Sequence, residues 1–235
     1  MKKLFVIAFL LVTSLSFAQD KAAAKPEPNP LVQPMFGNKA KSEAQQRKDE
    51  KFLSSCDKSF SNRQEASQFF MERGWEYLNE GQLDTAVYRF NLAWLLNPDN
   101  KDTYWAFGLV TASQGDQQKA IGFYEKALVY DPKNPVLLTD VASSYLKNFR
   151  DNKKKKDLKK ASTYLSQSIA TDAANAYALS SMAMVKYFEE DYTQAWDYLH
   201  KSRSIDMTQF DYNFLTELMA KMPDPQGFFN TTSSN

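Results

Sequence analysis

A lone histidine, His200, and a lone cysteine, Cys56, are the first places to look for chemistry in this chain of 235 residues. A transition-metal site needs three or four nitrogen or sulfur ligands, and a nucleophile–histidine pair needs its partner and a third orienting group. His200 lies late in a helical stretch with no second His or Cys nearby, so it reads as a solvated or capping histidine. Cys56 cannot form an internal disulfide. It reads as a small, partly buried apolar residue, with an intermolecular disulfide as the functional alternative. The glycines fall in helical and turn contexts rather than after strands, so no phosphate-cradling loop is expected. The acidic run Glu189-Glu190-Asp191 sits where an interhelix turn needs solvation and capping. No catalytic residue, metal ligand or cofactor is assigned, and the chain reads as a non-enzyme.

Charge gives little more. Lys and Arg number 29 against 28 Asp and Glu, and losing Lys2 and Lys3 with a leader leaves the balance near neutral. A nucleic-acid binder driven by bulk charge is therefore not expected. The run Lys153 to Lys156 reads as a soluble loop, with attraction to anionic lipid or an acidic partner as the alternative.

Several kinds of element position these residues. Met1-Lys2-Lys3 and the apolar run from Leu4 to Val12 have the form of a secretory signal peptide, with Ser16-Phe17-Ala18 as the cleavage site. The run is shorter than the roughly 20 residues that span a bilayer, so no stable membrane insertion is expected. From Gln19 to Phe60 the Pro- and Lys-rich composition predicts a flexible tether with one weak helix, around Phe52 and Leu53. Order is expected from Ser61, which forms a capping-box pattern with Gln64. Helix formers dominate the rest, and the expected class is all-α.

The chain then repeats itself. Gly74, Gly81, Ala86, Ala93, Pro98 and Asn100 recur 34 residues later as Gly108, Gly115, Ala120, Ala127, Pro132 and Asn134. Gly74 and Ala86 allow the two helices of a hairpin to cross closely, while Tyr77 and Phe90 fill the wider gaps beside them. Gly81 supplies the positive φ of the turn, Asp84 caps the second helix, and Pro98 ends it. Tyr104, Gly108, Tyr124 and Pro132 repeat the pattern. In the third unit Ala161 arrives late, and Arg150 to Lys160 is expected to lengthen the interhelix turn. A fourth unit keeps Ala183, Ala195 and Leu199. Phe210 to Met222 is expected to cap the stack, with a flexible tail beyond it.

The period and its small residues resemble the tetratricopeptide repeat family. The resemblance implies a right-handed α-solenoid of about four helix pairs, at 67–100, 101–134, 135–175 and 176–209, with a capping helix at 210–222. It also implies that the first helices line a concave groove. Matching positions are Met71, Trp75 and Leu78; Trp105, Leu109 and Ala112; Thr139, Ser143 and Leu146; Tyr177, Met184 and Tyr187. This groove is apolar and aromatic. Members that clamp a terminal carboxylate use Lys, Asn and Arg at places that here hold Met71, Trp75, Ala106, Val136 and Asp140, so carboxylate capture is not expected. Two functions remain open. One is an exported scaffold or adaptor, in the periplasm or outside the cell, that binds a partner protein or peptide through the groove. The other is a self-associating or self-capped structural subunit whose groove is filled by its own terminus or a copy of itself.

Overall fold

Two glycine–ring contacts explain how the helices pair. A methyl group added at Gly74 would lie 3.0 Å from Phe90 Cζ and closer still to two other ring atoms, and Gly108 stands in the same relation to the Tyr124 ring. Only a glycine lets these rings lie flat against the facing backbone. The helices so joined are α2 (Arg63–Asn79) with α3 (Leu83–Leu96), and α4 (Lys101–Ser113) with α5 (Gln117–Tyr130). Ala86 is fully buried nearby, but the residue lying on Gly74 is Phe90, expected from sequence to fill the gap beside the crossing. Gly81 and Gly115, at φ 74° and 91°, turn the chain between partners.

The computed structural model describes residues 29–209 and 211–229, so the expected leader and Phe210 lie outside the described residues. Two further pairs follow: α6 (Pro135–Asn152) with α7 (Lys155–Thr171), and α8 (Ala176–Phe188) with α9 (Tyr192–Ile205). A 3₁₀ turn (Met207–Gln209) and α10 (Tyr212–Lys221) complete the order. The fold is the expected all-α solenoid of helix pairs. Asn100, Asn134 and Asn175 cap α4, α6 and α8, each side-chain oxygen accepting from a first-turn N–H. The capping box of α2 falls one residue from its expected place. Asn62 accepts from Glu65 N, and the Glu65 carboxylate accepts from Ser61 N. At α3 the N-cap is Gln82, with Asp84 inside the first turn.

The third pair corrects the expectation of a long turn. Its helices run 18 and 17 residues, against 13 and 14 in the fourth pair, and only residues 153 and 154 separate them. The inserted Lys, Arg and Leu residues are good helix formers, and Asp157 sits in the first turn of α7 where its charge suits the helix dipole, so the extra length goes into helix. Lys153 takes the left-handed turn at φ 57°. Lys155 and Lys156 therefore open α7 rather than occupy a loop.

Where a flexible tether is expected, the structure has three elements. Two 3₁₀ helices (Pro30–Val32 and Pro34–Asn38) lie on α3, and α1 (Glu43–Ser59) leads into α2. Asn91, completely buried on α3, holds the first two: its Nδ2 donates to the carbonyls of Leu31 and Gln33, and its Oδ1 accepts from Phe36 N. Phe36 is buried as a result. On α1, Phe52 packs edge-on against Phe70, and Cys56 is buried.

Candidate functional site

Successive first helices touch, α4 against α6 and α6 against α8, whereas no successive pair of second helices makes comparable contact. That asymmetry puts the first helices on the inner side of the curve. Along this side Trp75 on α2 meets Trp105 on α4 edge-on, with ring centroids 6.4 Å apart. Trp75 also rests on Phe90 of its own pair. Both indoles stay half-buried, as does Leu109.

Beyond Trp105 the surface turns polar. The indole Nε1 donates to Asp140 Oδ2 on α6 at 2.7 Å. One turn on, Ser143 shares a hydrogen bond of 2.6 Å with the hydroxyl of Tyr177 on α8. Tyr177 remains 38% exposed. Burial raises the Asp140 carboxyl from the usual 3.8 to about 6, against the lowering effect of the indole hydrogen bond. Burial also raises the phenols of Tyr177 and Tyr124, and the Asp140 charge adds to both shifts. These two rings therefore stay neutral where Asp140 titrates.

The other groove positions divide. Met71 is 1% exposed and belongs to the core of the first pair, because that face of α2 packs inward. Thr139 is likewise buried, bonded to Pro135 O and Ser168. Leu146 is buried, and Leu78 and Ala112 are half-buried. Met184 and Tyr187 pack in the cluster built with α10, Tyr187 against Phe214 at 5.6 Å. The packing residues Gly74, Ala86, Phe90, Ala93, Gly108, Ala120, Tyr124 and Ala127 are all buried, Tyr77 is half-buried, and Pro98 and Pro132 lie exposed just past α3 and α5.

His200 is not solvated. It is 5% exposed, its Nε2 lies 2.7 Å from Asp224 Oδ1, and its ring stacks on Trp196 and on Phe229, which also stack on each other. Residues 224–229 thus fold back onto α9, where a flexible tail is expected. Burial acts to raise the Asp224 carboxyl, but hydrogen bonds from Phe229 N, Gln226 N and His200 outweigh it and hold the group below its usual value. No group of His, Cys, Asp and Glu among the described residues could hold a metal ion. No helix among them is long and apolar enough to cross a membrane.

Residues 55–205 match the family described as the cytochrome c-type biogenesis protein H TPR domain. Three solved structures share the fold. They are PilW, a type IV pilus biogenesis factor (TM-score 0.57, 17% identity, 74% of this chain and 77% of that one); a thermophilic TPR protein of Thermus thermophilus (0.55, 14%, 68% and 93%); and MamA (0.50, 17%, 70% and 96%). The cellulose synthase operon protein C of Komagataeibacter sucrofermentans is 36% identical over 62 residues, which is 26% of this chain and 5% of that protein. The match therefore spans a small fraction of that relative's length. With the 34-residue period, the paired helices and the inner face of first helices in place, the chain belongs to the tetratricopeptide repeat family, in its cytochrome c-type biogenesis protein H TPR branch, and has the scaffold fold of protein–protein interaction modules.

Proposed function

We propose that this chain is an exported adaptor that holds an extended or helical segment of a protein partner in the groove between α2, α4, α6 and α8. One observation supports this above the rest: the Trp75–Trp105 pair stays half-buried on the inner face, while the described end segments pack elsewhere. The segment 30–38 lies on α3, and Phe229 lies on Trp196 and His200 of α9. A Trp buries about 150 to 250 Å², worth about 4 to 6 kcal/mol gross at about 25 cal/mol per Å². Even a fraction of that, from two indoles, makes an anchor of the kind that dominates interfaces.

The array does close one end on itself, since α10 covers Tyr187. Self-capping of that kind covers the Tyr187 end of α8, and α2, α4, α6 and the Tyr177 end of α8 keep the open stretch for a partner. Export rests on the amino-terminal pattern from Met1 to Ala18. Assembly work at the cell envelope is compatible with the cytochrome c biogenesis family matched here.

The test is crosslinking capture by the exported full chain, run beside a Trp75→Ala, Trp105→Ala variant whose thermal unfolding is checked. Partners retained by the parent and lost by a folded variant support the groove reading. Partners kept by the variant refute it. Should the double variant unfold early, Tyr177→Ala, at an exposed ring, serves in its place. Concentration-dependent mass of the parent alone, abolished by the same substitutions, replaces the adaptor with the self-associating subunit.

A further inference from the structure

Asp140 is the ionisable group of this inner face that its neighbours leave without a counter-charge. Its Oδ2 accepts the Trp105 indole N–H, and no lysine, arginine or histidine among the described residues makes an ion pair with it. On the first helices around it Lys101 pairs with Asp131, Lys147 with Asp151 and Lys186 with Glu189; Arg150, exposed ten residues on in the last turn of α6, makes no ion pair with it. The groups facing it from packed elements are Trp105 on α4, Tyr124 on α5 and Tyr177 on α8. All of these are uncharged, and two present aromatic faces in the same stretch of groove.

A carboxylate in that setting gains most from a charge-assisted hydrogen bond, because the surrounding rings exclude competing water. The same rings suit the rest of a basic side chain. Its methylene stem can lie on an indole or phenol face, and its head is attracted to the ring quadrupole. An acidic or purely apolar segment gains neither and leaves the carboxylate desolvated without a partner.

We propose that Asp140 is the anchor of a cation subsite, so that the partner segment held in the groove presents a Lys or Arg side chain whose charged head sits on Asp140 and whose stem lies against Trp105 and Tyr177. This rests on the groove reading above and names what that groove selects. The site discriminates by charge at one position, with apolar and aromatic contacts on either side. Its affinity depends on the ionised form of Asp140, and so falls on acidification through the range where that carboxyl takes up its proton, about pH 6.

The probe is an array of short peptides of varied apolar and aromatic sequence whose central residue is fixed as Lys, Arg, norleucine or Glu. The full chain, its Asp140→Asn variant and the Trp75→Ala, Trp105→Ala variant are titrated against it. The expected result is a preference of about tenfold to a hundredfold for Lys or Arg over norleucine, the range of a hydrogen bond to a charged group. That preference disappears in Asp140→Asn, which still accepts the indole hydrogen bond. On the parent alone it shrinks by about tenfold between about pH 7 and pH 5. Peptides bound through the two Trp residues with no preference for a basic centre, or with one that survives in Asp140→Asn, overturn the subsite and leave the groove reading standing. No peptide bound, or all bound equally by the double Trp variant, overturns both.

Discussion

The glycine–ring contact makes a quantitative claim that a three-variant comparison can test. Gly74, Gly108 and Gly122 all lie inside helices, where glycine costs about 1 kcal/mol relative to alanine. Gly122 on α5 has nothing within 4 Å of an added methyl, so Gly122→Ala should stabilise the fold by about 0.5 to 1 kcal/mol. At Gly74 the added methyl sits 3.0 Å from Phe90 Cζ and nearer to two further ring atoms, where ordinary carbon contacts begin near about 3.5 Å. The Phe90 ring has no solvent side to retreat to, being fully buried. Overpacking of this kind costs about 1 to 3 kcal/mol or more, which exceeds the helix-propensity gain. Gly74→Ala is therefore expected to lower stability by about 1 to 2 kcal/mol net, and Gly108→Ala, against Tyr124, by a similar amount. Urea unfolding followed by circular dichroism reads the differences. Phe90→Val removes the clashing ring atoms, so in that background Gly74→Ala should be neutral or stabilising, with a coupling of at least about 1 kcal/mol in the double-mutant cycle. If Gly74→Ala stabilises the parent as Gly122→Ala does, or the coupling is absent, the Phe90 ring does not set the helix approach.

Two further predictions come from buried polar groups. Asn91→Leu deletes the three hydrogen bonds that hold residues 30–38 on α3, at about 1 to 3 kcal/mol; hydrogen exchange should then show 30–38 losing protection while α4 to α9 keep theirs, and unchanged protection at 30–38 refutes the clamp. Asp140, raised from 3.8 to about 6, binds a proton more tightly folded than unfolded. Stability therefore falls as pH rises through that interval, by about 1 to 3 kcal/mol once its water-facing part is allowed for. Asp140→Asn should add about that much at about pH 7.5 and little at about pH 4, and an equal effect at both would show that ionisation is not the cause.

The solenoid was legible because close helix crossings admit few residue types. Gly74, Ala86 and Ala93 have no substitutes of other size at those approaches, so they recur at a fixed spacing that needs no structure to detect. The third-pair insertion was misplaced because its left-handed turn residue is Lys153, which carries no signal of the kind Gly81 and Gly115 supply. The amino-terminal clamp hides in one buried Asn, indistinguishable in sequence from a solvent-facing one. His200 misled for the same reason: its partner, Asp224, lies 24 residues on in a segment rich in Pro and Gly, which composition alone reads as loose.

Asp140 was legible only as a departure from the positively charged clamp of other family members, and its significance comes from energetics. An Asn at 140 could accept the same Trp105 hydrogen bond with no ionisation cost, so orienting the indole does not require a charge. The ionised carboxylate lowers stability near neutral pH, and the described neighbours supply no cation to offset that. A ligand that brings the cation recovers the loss on binding, and the recovered energy appears as selectivity, because a neutral ligand leaves it unrecovered. The stability gained by Asp140→Asn and the discrimination it loses should therefore be two readings of one desolvated charge. Because ligand contacts add to the discrimination, it should be at least as large as the stability gain; a large gain with no loss of discrimination would separate the two and reduce Asp140 to a flaw in the packing.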